Sequence, residues 1–152
     1  MKNRASAEMA NEEHLRKLER MYHAAPINRF FAPVLRISEG ATELHIPVKG
    51  DFFHAAGAIH GSVYFKALDD SAFFAAASLE PEFFILTVSY NVYITRPVTE
   101  GELVATGKVA HQSKSLFIAE SEVRDSKGRH VARGSGTFMR SQIALTPEMG
   151  YR

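Results

Sequence analysis

Residues 61–79 read GSVYFKALDDSAFFAAASL, and this stretch constrains the fold more than any other. Tyr64, Ala67, Leu68, Ser71, Ala72 and Ala75 recur at helical spacing and make a wide stripe of small and apolar side chains. A helix apolar over so much of its surface has to be wrapped by the rest of the chain. Glu80-Pro81 stops it, because a residue before proline is pushed out of the helical region. The same run carries two adjacent carboxylates, Asp69 and Asp70. A carboxylate removed from water costs several kcal/mol unless something compensates. Either one aspartate faces solvent, or the run lines a site that uses a carboxylate.

The flanking sequence supplies the wrapping. Residues 6–22 form a charged amphipathic pattern with a weak apolar stripe at Met9, Leu15, Leu18 and Met21, closed by Pro26. This predicts a helix that covers the domain, contacts a partner or, the preferred reading, lies solvated on the domain. Val34, Leu35 and Ile37, a turn at Glu39-Gly40, and the period-two run Leu44, Ile46, Val48 predict two short strands or one bent pair. Residues 54–59 read as a loop. After the central helix come four strand patterns, at residues 83–95, 103–111, 116–124 and 130–140, separated by short turns. Such connections make the sheet largely antiparallel. The expectation is α+β: a curved antiparallel sheet around one long helix, with an N-terminal helix. The organisation expected is an N-terminal extension over residues 1–30, one domain over 31–140 and a polar tail over 141–152. The open edge and face of such a sheet call for a second subunit.

Composition narrows the function. At 45% hydrophobic and 23% charged, the 152 residues make an ordinary globular domain. A formal net charge of +1 offers no basic field for nucleic acid. The absence of cysteine excludes disulfides, thiolate metal sites and a cysteine nucleophile, and fits a reducing compartment. The charged N-terminus lacks the apolar core of a secretory signal, and no run approaches the ~20 residues of a membrane span. A cytoplasmic protein is expected. Nucleophile-elbow, zinc-helix and phosphate-loop motifs are missing; Gly134-Ser135-Gly136 sits inside a strand pattern. No metal or cofactor is expected.

What remains is His60-Gly61 at the start of the long helix and the aspartates further along it. A helix N-terminus carries free N–H groups and partial positive charge, which can hold a carbonyl oxygen as negative charge develops. Gly61 permits close approach to the backbone. A carboxylate can serve as general base or nucleophile. By spacing alone the pair also fits a purely structural reading.

These residues resemble the hotdog-fold acyl-CoA thioesterases, in particular the PaaI-like branch. That family places an Asn, then a His-Gly-Gly, then an Asp on the central helix; His54, His60-Gly61-Ser62 and Asp69 match that spacing without a gap. Thr87-Val88-Ser89-Tyr90-Asn91 with Arg96-Pro97, then Gly101-Glu102-Leu103-Val104-Ala105, then Val109-Ala110-His111-Gln112-Ser113-Lys114 and finally residues 131–138 follow the family's later strands in order. Two positions depart: the family Asn is His54, and its second Gly is Ser62. The resemblance implies hydrolysis of an acyl-CoA thioester in a homodimer or homotetramer whose sites borrow residues from both subunits. It implies that the Gly61 N–H polarises the carbonyl, that Asp69 activates water or attacks, and that His54, His60 and Thr87 position the groups.

Neighbours on a helix point about 100° apart, so the two aspartates can hardly share one cleft. Gap-free spacing selects Asp69; an alignment on Asp70 is the alternative, and the other aspartate falls at an interface or in solvent. Asp70, Asn91, Arg96 and Lys114 are assigned to the substrate-binding side, the two cations as partners for coenzyme A phosphates. Each also reads as ordinary strand or surface chemistry. Phe65, Phe73, Phe74, Phe83 and Phe84 line either an acyl tunnel or the core and interface. The rival functions are a hotdog hydratase or dehydratase using a His–Asp pair, and a non-catalytic acyl-CoA sensor.

Overall fold

The computed structural model describes residues 2–152, and side chains from residue 4 onward. Helix α1 (Lys2–Ala24) and the short α2 (Asn28–Phe31) precede β1 (Val34–Ser38) and β2 (Ala41–Pro47). The central helix α3 (Gly61–Ala77) follows, then β3 (Phe83–Ile94), β4 (Glu102–Gln112), β5 (Leu116–Arg124) and β6 (His130–Ala144). The six strands form one antiparallel sheet in the order β1-β2-β4-β5-β6-β3. The sheet curves around α3, as expected. All six residues of the predicted stripe are buried.

Closeness of helix and sheet depends on a missing side chain. A Cβ on Gly107 in β4 would lie 2.1 Å from the Ser71 carbonyl oxygen and 2.7 Å from Thr42 Oγ1. Thr42 Oγ1 in turn donates to that carbonyl at 2.6 Å. Gly107→Ala therefore forces α3 off the sheet, and is expected to destabilise the fold by about 2–3 kcal/mol, read as a lowered urea midpoint at unchanged slope. Gly134 and Gly136, inside β6 as the strand pattern indicated, face the Tyr90 ring, which fills the space their side chains would take.

The two sheet edges are treated differently. Along β1, the Leu35 N–H donates to His23 Nε2 at 3.1 Å and the Ile37 N–H to Glu19 Oε1 at 2.8 Å, so α1 side chains satisfy that edge. Beneath them Leu15, Leu18, Met21 and Tyr22 join the core, while Met9 stays in water. The helix thus takes the covering role, the alternative to a solvated helix, and seals a sheet edge. At the other edge β3 is uncovered, with Leu86, Val88, Tyr93 and Ile94 exposed.

Boundaries moved where tertiary partners extend an element. α1 starts earlier and runs later than residues 6–22, and α3 stops at Ala77 with Ser78 as its cap. β6 continues past Arg140 to Ala144 because long β3 pairs with it as far as Phe83 opposite Ala144. The stretch read as a polar tail is therefore partly strand. Beyond it, the Leu145 N–H donates to the Glu82 carbonyl at 3.0 Å, and Tyr151 Oη pairs with His14 Nδ1 at 2.7 Å.

Candidate active site

Asp69 and Thr87 meet where α3 crosses β3. Thr87 Oγ1 donates to Asp69 Oδ1 at 2.9 Å. Burial pushes the Asp69 carboxyl up to about 6, with the Asp70 charge adding to the rise and the Thr87 bond and Lys66 opposing it. A carboxylate held near neutrality beside a cleft is suited to accepting a proton.

Asp70 is not a solvent residue. Its side chain is 15% exposed and forms an ion pair with Lys66, one helical turn back and 12% exposed. The Tyr22 hydroxyl, reaching from α1, donates to Asp70 Oδ2 at 2.7 Å. Burial raises the Asp70 carboxyl, and Lys66 and Tyr22 hold it down in part. The Lys66 ammonium also lies 5.3 Å from the Tyr22 ring centre and 5.2 Å from that of Phe31. Despite pointing apart, Asp69 and Asp70 both line one open cleft of about 320 Å³, because the end of α1 reaches over α3 through Tyr22 and two faces of the helix border the same groove. Phe73, Phe74 and Phe84 line it too, whereas Phe65 is exposed against Tyr90 and Phe83 packs under Arg140.

His60 caps α3: its Nδ1 accepts from the Ser62 N–H at 3.0 Å and sits 2.8 Å from Ser62 Oγ. Among the described residues the Gly61 N–H has no acceptor. His54 lies exposed in the preceding loop, where Nδ1 accepts from the Ala56 N–H at 3.0 Å. Asp69 is eight residues from Gly61 on the same helix. At 1.5 Å per residue that is about 12 Å, so one carbonyl cannot touch both within one chain.

The remaining expected residues do not converge on Asp69. Asn91 lies on the sheet face turned away from α3, in a depression of about 720 Å³ shared with Tyr93, Lys108, Glu120 and Arg133. Arg96 follows β3 near the start of α3, and Lys114 sits in the β4–β5 turn beside the Leu116–Met139–Leu86 end of the sheet. The two cations thus occupy opposite ends of one chain. Tyr22 and Lys66 were missed from sequence. The Lys66–Asp70 spacing was a visible helix ion-pair signal, but nothing local links Tyr22 to a carboxylate 48 residues away. Among the described residues no cluster of three or more His, Asp or Glu is placed to hold a metal, and no helix is long and apolar enough to cross a membrane.

The architecture is shared with solved structures. The E. coli PaaI protein from the phenylacetic acid degradation operon superposes with a TM-score of 0.81 at 19% identity, over 90% of this chain and 99% of that one. A thioesterase family protein from Silicibacter pomeroyi gives 0.77 at 23% identity, over 87% and 98%. Two archaeal relatives carry the name "Putative esterase". That from Saccharolobus solfataricus is 23% identical over 84% of this chain and 92% of its own length. That from Archaeoglobus fulgidus is 28% identical over 76% and 75%. The family model for the thioesterase superfamily matches residues 56–132, from the loop before α3 into β6. That span holds the cap of α3, the aspartates and Thr87, and with the hotdog architecture around it the chain belongs to the thioesterase superfamily, with a PaaI-like fold.

Proposed function

We propose that the protein hydrolyses acyl-CoA thioesters to a free acid and coenzyme A. The observation that carries this reading is the Asp69 carboxylate, bonded by Thr87 and raised to about 6, at a largely apolar cleft. In the reaction, water oxygen bonds to the carbonyl carbon while Asp69 takes its proton, or Asp69 attacks that carbon and water releases the acid from the anhydride. The carbonyl oxygen gains negative charge and is held by the Gly61 N–H at the positive end of α3. The carbon–sulfur bond then breaks and the thiolate leaves. His60 acts as the cap that fixes the helix terminus, and His54 and Arg96 flank the same end.

Because Gly61 and Asp69 are too far apart in one chain, the reading requires a partner. Gly61 lies against Ile94, and Asp69 against Thr87. If two uncovered β3 edges pair antiparallel about a two-fold axis between Tyr90 and Asn91, Thr87 falls opposite the partner's Ile94. The partner subunit's Gly61 then approaches Asp69, completing two identical sites. Sedimentation at working concentration is expected to give a homodimer or a pair of dimers; an active monomer would sink this arrangement. The hydratase alternative faces the same geometry, since His60 and Asp69 are nine residues apart on one helix and meet only across subunits. A sensor would bind acyl-CoA and release no thiol. The cysteine-free composition fits a cytoplasmic setting.

The base must be ionised, so kcat/KM is expected to fall as pH drops through about 6. Thr87→Ala removes a bond that favours the carboxylate, so its acid limb should move to higher pH. A limb that stays put in Thr87→Ala would show that the titrating group is not Asp69.

A further inference from the structure

We propose that α1 and α2 select the substrate: the open cleft they border with α3 and β3 is the acyl site, and it takes an uncharged, largely apolar acyl group. This rests on the thioesterase reading for its chemistry, but its walls can be judged separately. Asp69 and Thr87 line the cleft, so an acyl chain attached to a carbonyl at Asp69 enters it without turning. One wall is Phe73, Phe84 and Leu86; the other is Met21, Ala25 and Ile27 from the α1–α2 corner, with one buried polar residue, Asn28, whose Nδ2 donates to the Tyr22 carbonyl and whose Oδ1 has no partner among the described residues. Ile27 and Leu86 are 57% and 47% exposed, two large apolar side chains left in water on opposite walls. The floor is closed by Tyr22 packed edge-on against Phe74, ring centres 5.0 Å apart.

Charge in the cleft argues against an ionised acyl group. Lys66 is already neutralised by Asp70, whose carboxylate also takes the Tyr22 hydroxyl, and Asp69 adds a second negative charge. Among the described residues lining the cleft, an acyl carboxylate would meet two carboxylates and no unpaired cation. The cleft is open to solvent, and its volume bounds the part of a chain that it can hold: about 320 Å³ is the space of some ten waters, each about 30 Å³, and a methylene needs about the same room. An acyl group of about eight to ten heavy atoms fills the cleft; a longer chain must leave between Ile27 and Leu86.

The test uses S-alkyl-CoA thioethers, which cannot be hydrolysed, with binding read by calorimetry. Each buried methylene adds about fourfold in affinity, about four-thousandfold for six, so even with only about half of them buried S-octyl-CoA should bind wild type at least about thirtyfold more tightly than S-ethyl-CoA. S-hexadecyl-CoA below its micelle concentration should gain little more. Ala25→Trp fills the cleft from α1, and should cut the octyl advantage below about threefold while leaving S-ethyl-CoA unchanged. Ile27→Trp, at an exposed position, repeats the test should Ala25→Trp fold poorly. Equal affinities for ethyl and octyl in wild type, or a tryptophan that weakens all three ligands alike, would overturn the proposal. Length-selective binding without thiol release from octanoyl-CoA would defeat the thioesterase reading and leave this one standing.

Discussion

On the proposed function, replacing Asp69 with Asn is expected to lower kcat/KM for thiol release from acyl-CoA about a thousandfold, and Asp70→Asn to stay within about tenfold of wild type. The first number follows from the range that general-base and nucleophilic groups contribute. The amide keeps the size of the side chain and a partner for Thr87 but can neither take a proton from water nor attack a carbonyl. Asp70 differs because its carboxylate is occupied by Lys66 and Tyr22 and is built into the α1–α3 contact. Its charge does raise the Asp69 carboxyl, so Asp70→Asn should also shift the acid limb slightly downward. A panel of short, long and aromatic acyl-CoAs assayed with both variants is the direct test. Loss confined to Asp70→Asn would keep the function and exchange the roles of the two aspartates.

Lys66→Met is expected to destabilise the protein by about 3–5 kcal/mol near neutral pH, since it strands a buried carboxylate. The pH dependence has a definite sign. Burial already raises the Asp70 carboxyl, and Lys66 is the largest influence holding it down. Without Lys66 the folded-state value climbs further above that of the unfolded chain, about 4. Below that value Asp70 is protonated in both states and the deficit is small. As pH rises the unfolded chain ionises while the folded chain resists, so the deficit grows until the raised folded value is passed. Urea midpoints at about pH 4 and pH 7.5 measure this. The double variant Lys66→Met/Asp70→Leu removes the stranded charge and should recover most of the loss. A single variant as stable as wild type at both values would show that the pair contributes nothing.

Local pattern carried the elements and the class. The helical recurrence of Tyr64, Ala67, Leu68, Ser71 and Ala72 located α3, and period-two alternation located β1 and β2, because side-chain periodicity is fixed by backbone geometry alone. The start of α3 at His60-Gly61 was legible for the same reason, whereas the capping bond that the Ser62 N–H donates to His60 Nδ1 came from the structure. The end of β6 was not, because Ser141 to Ala144 show no strand pattern of their own and are held by β3.

What the sequence by itself determined is a chain with one buried helix, a surrounding antiparallel sheet and a carboxylate placed along that helix. Only the tertiary structure decided which carboxylate is free. Asp69 and Asp70 are adjacent and chemically identical, and their difference lies in what reaches them: Thr87 from β3 to one, Tyr22 from α1 to the other. Those contacts join segments 18 and 48 residues apart. They arise because α1 covers the β1 edge and lays its last turns over α3, a packing that no local periodicity encodes.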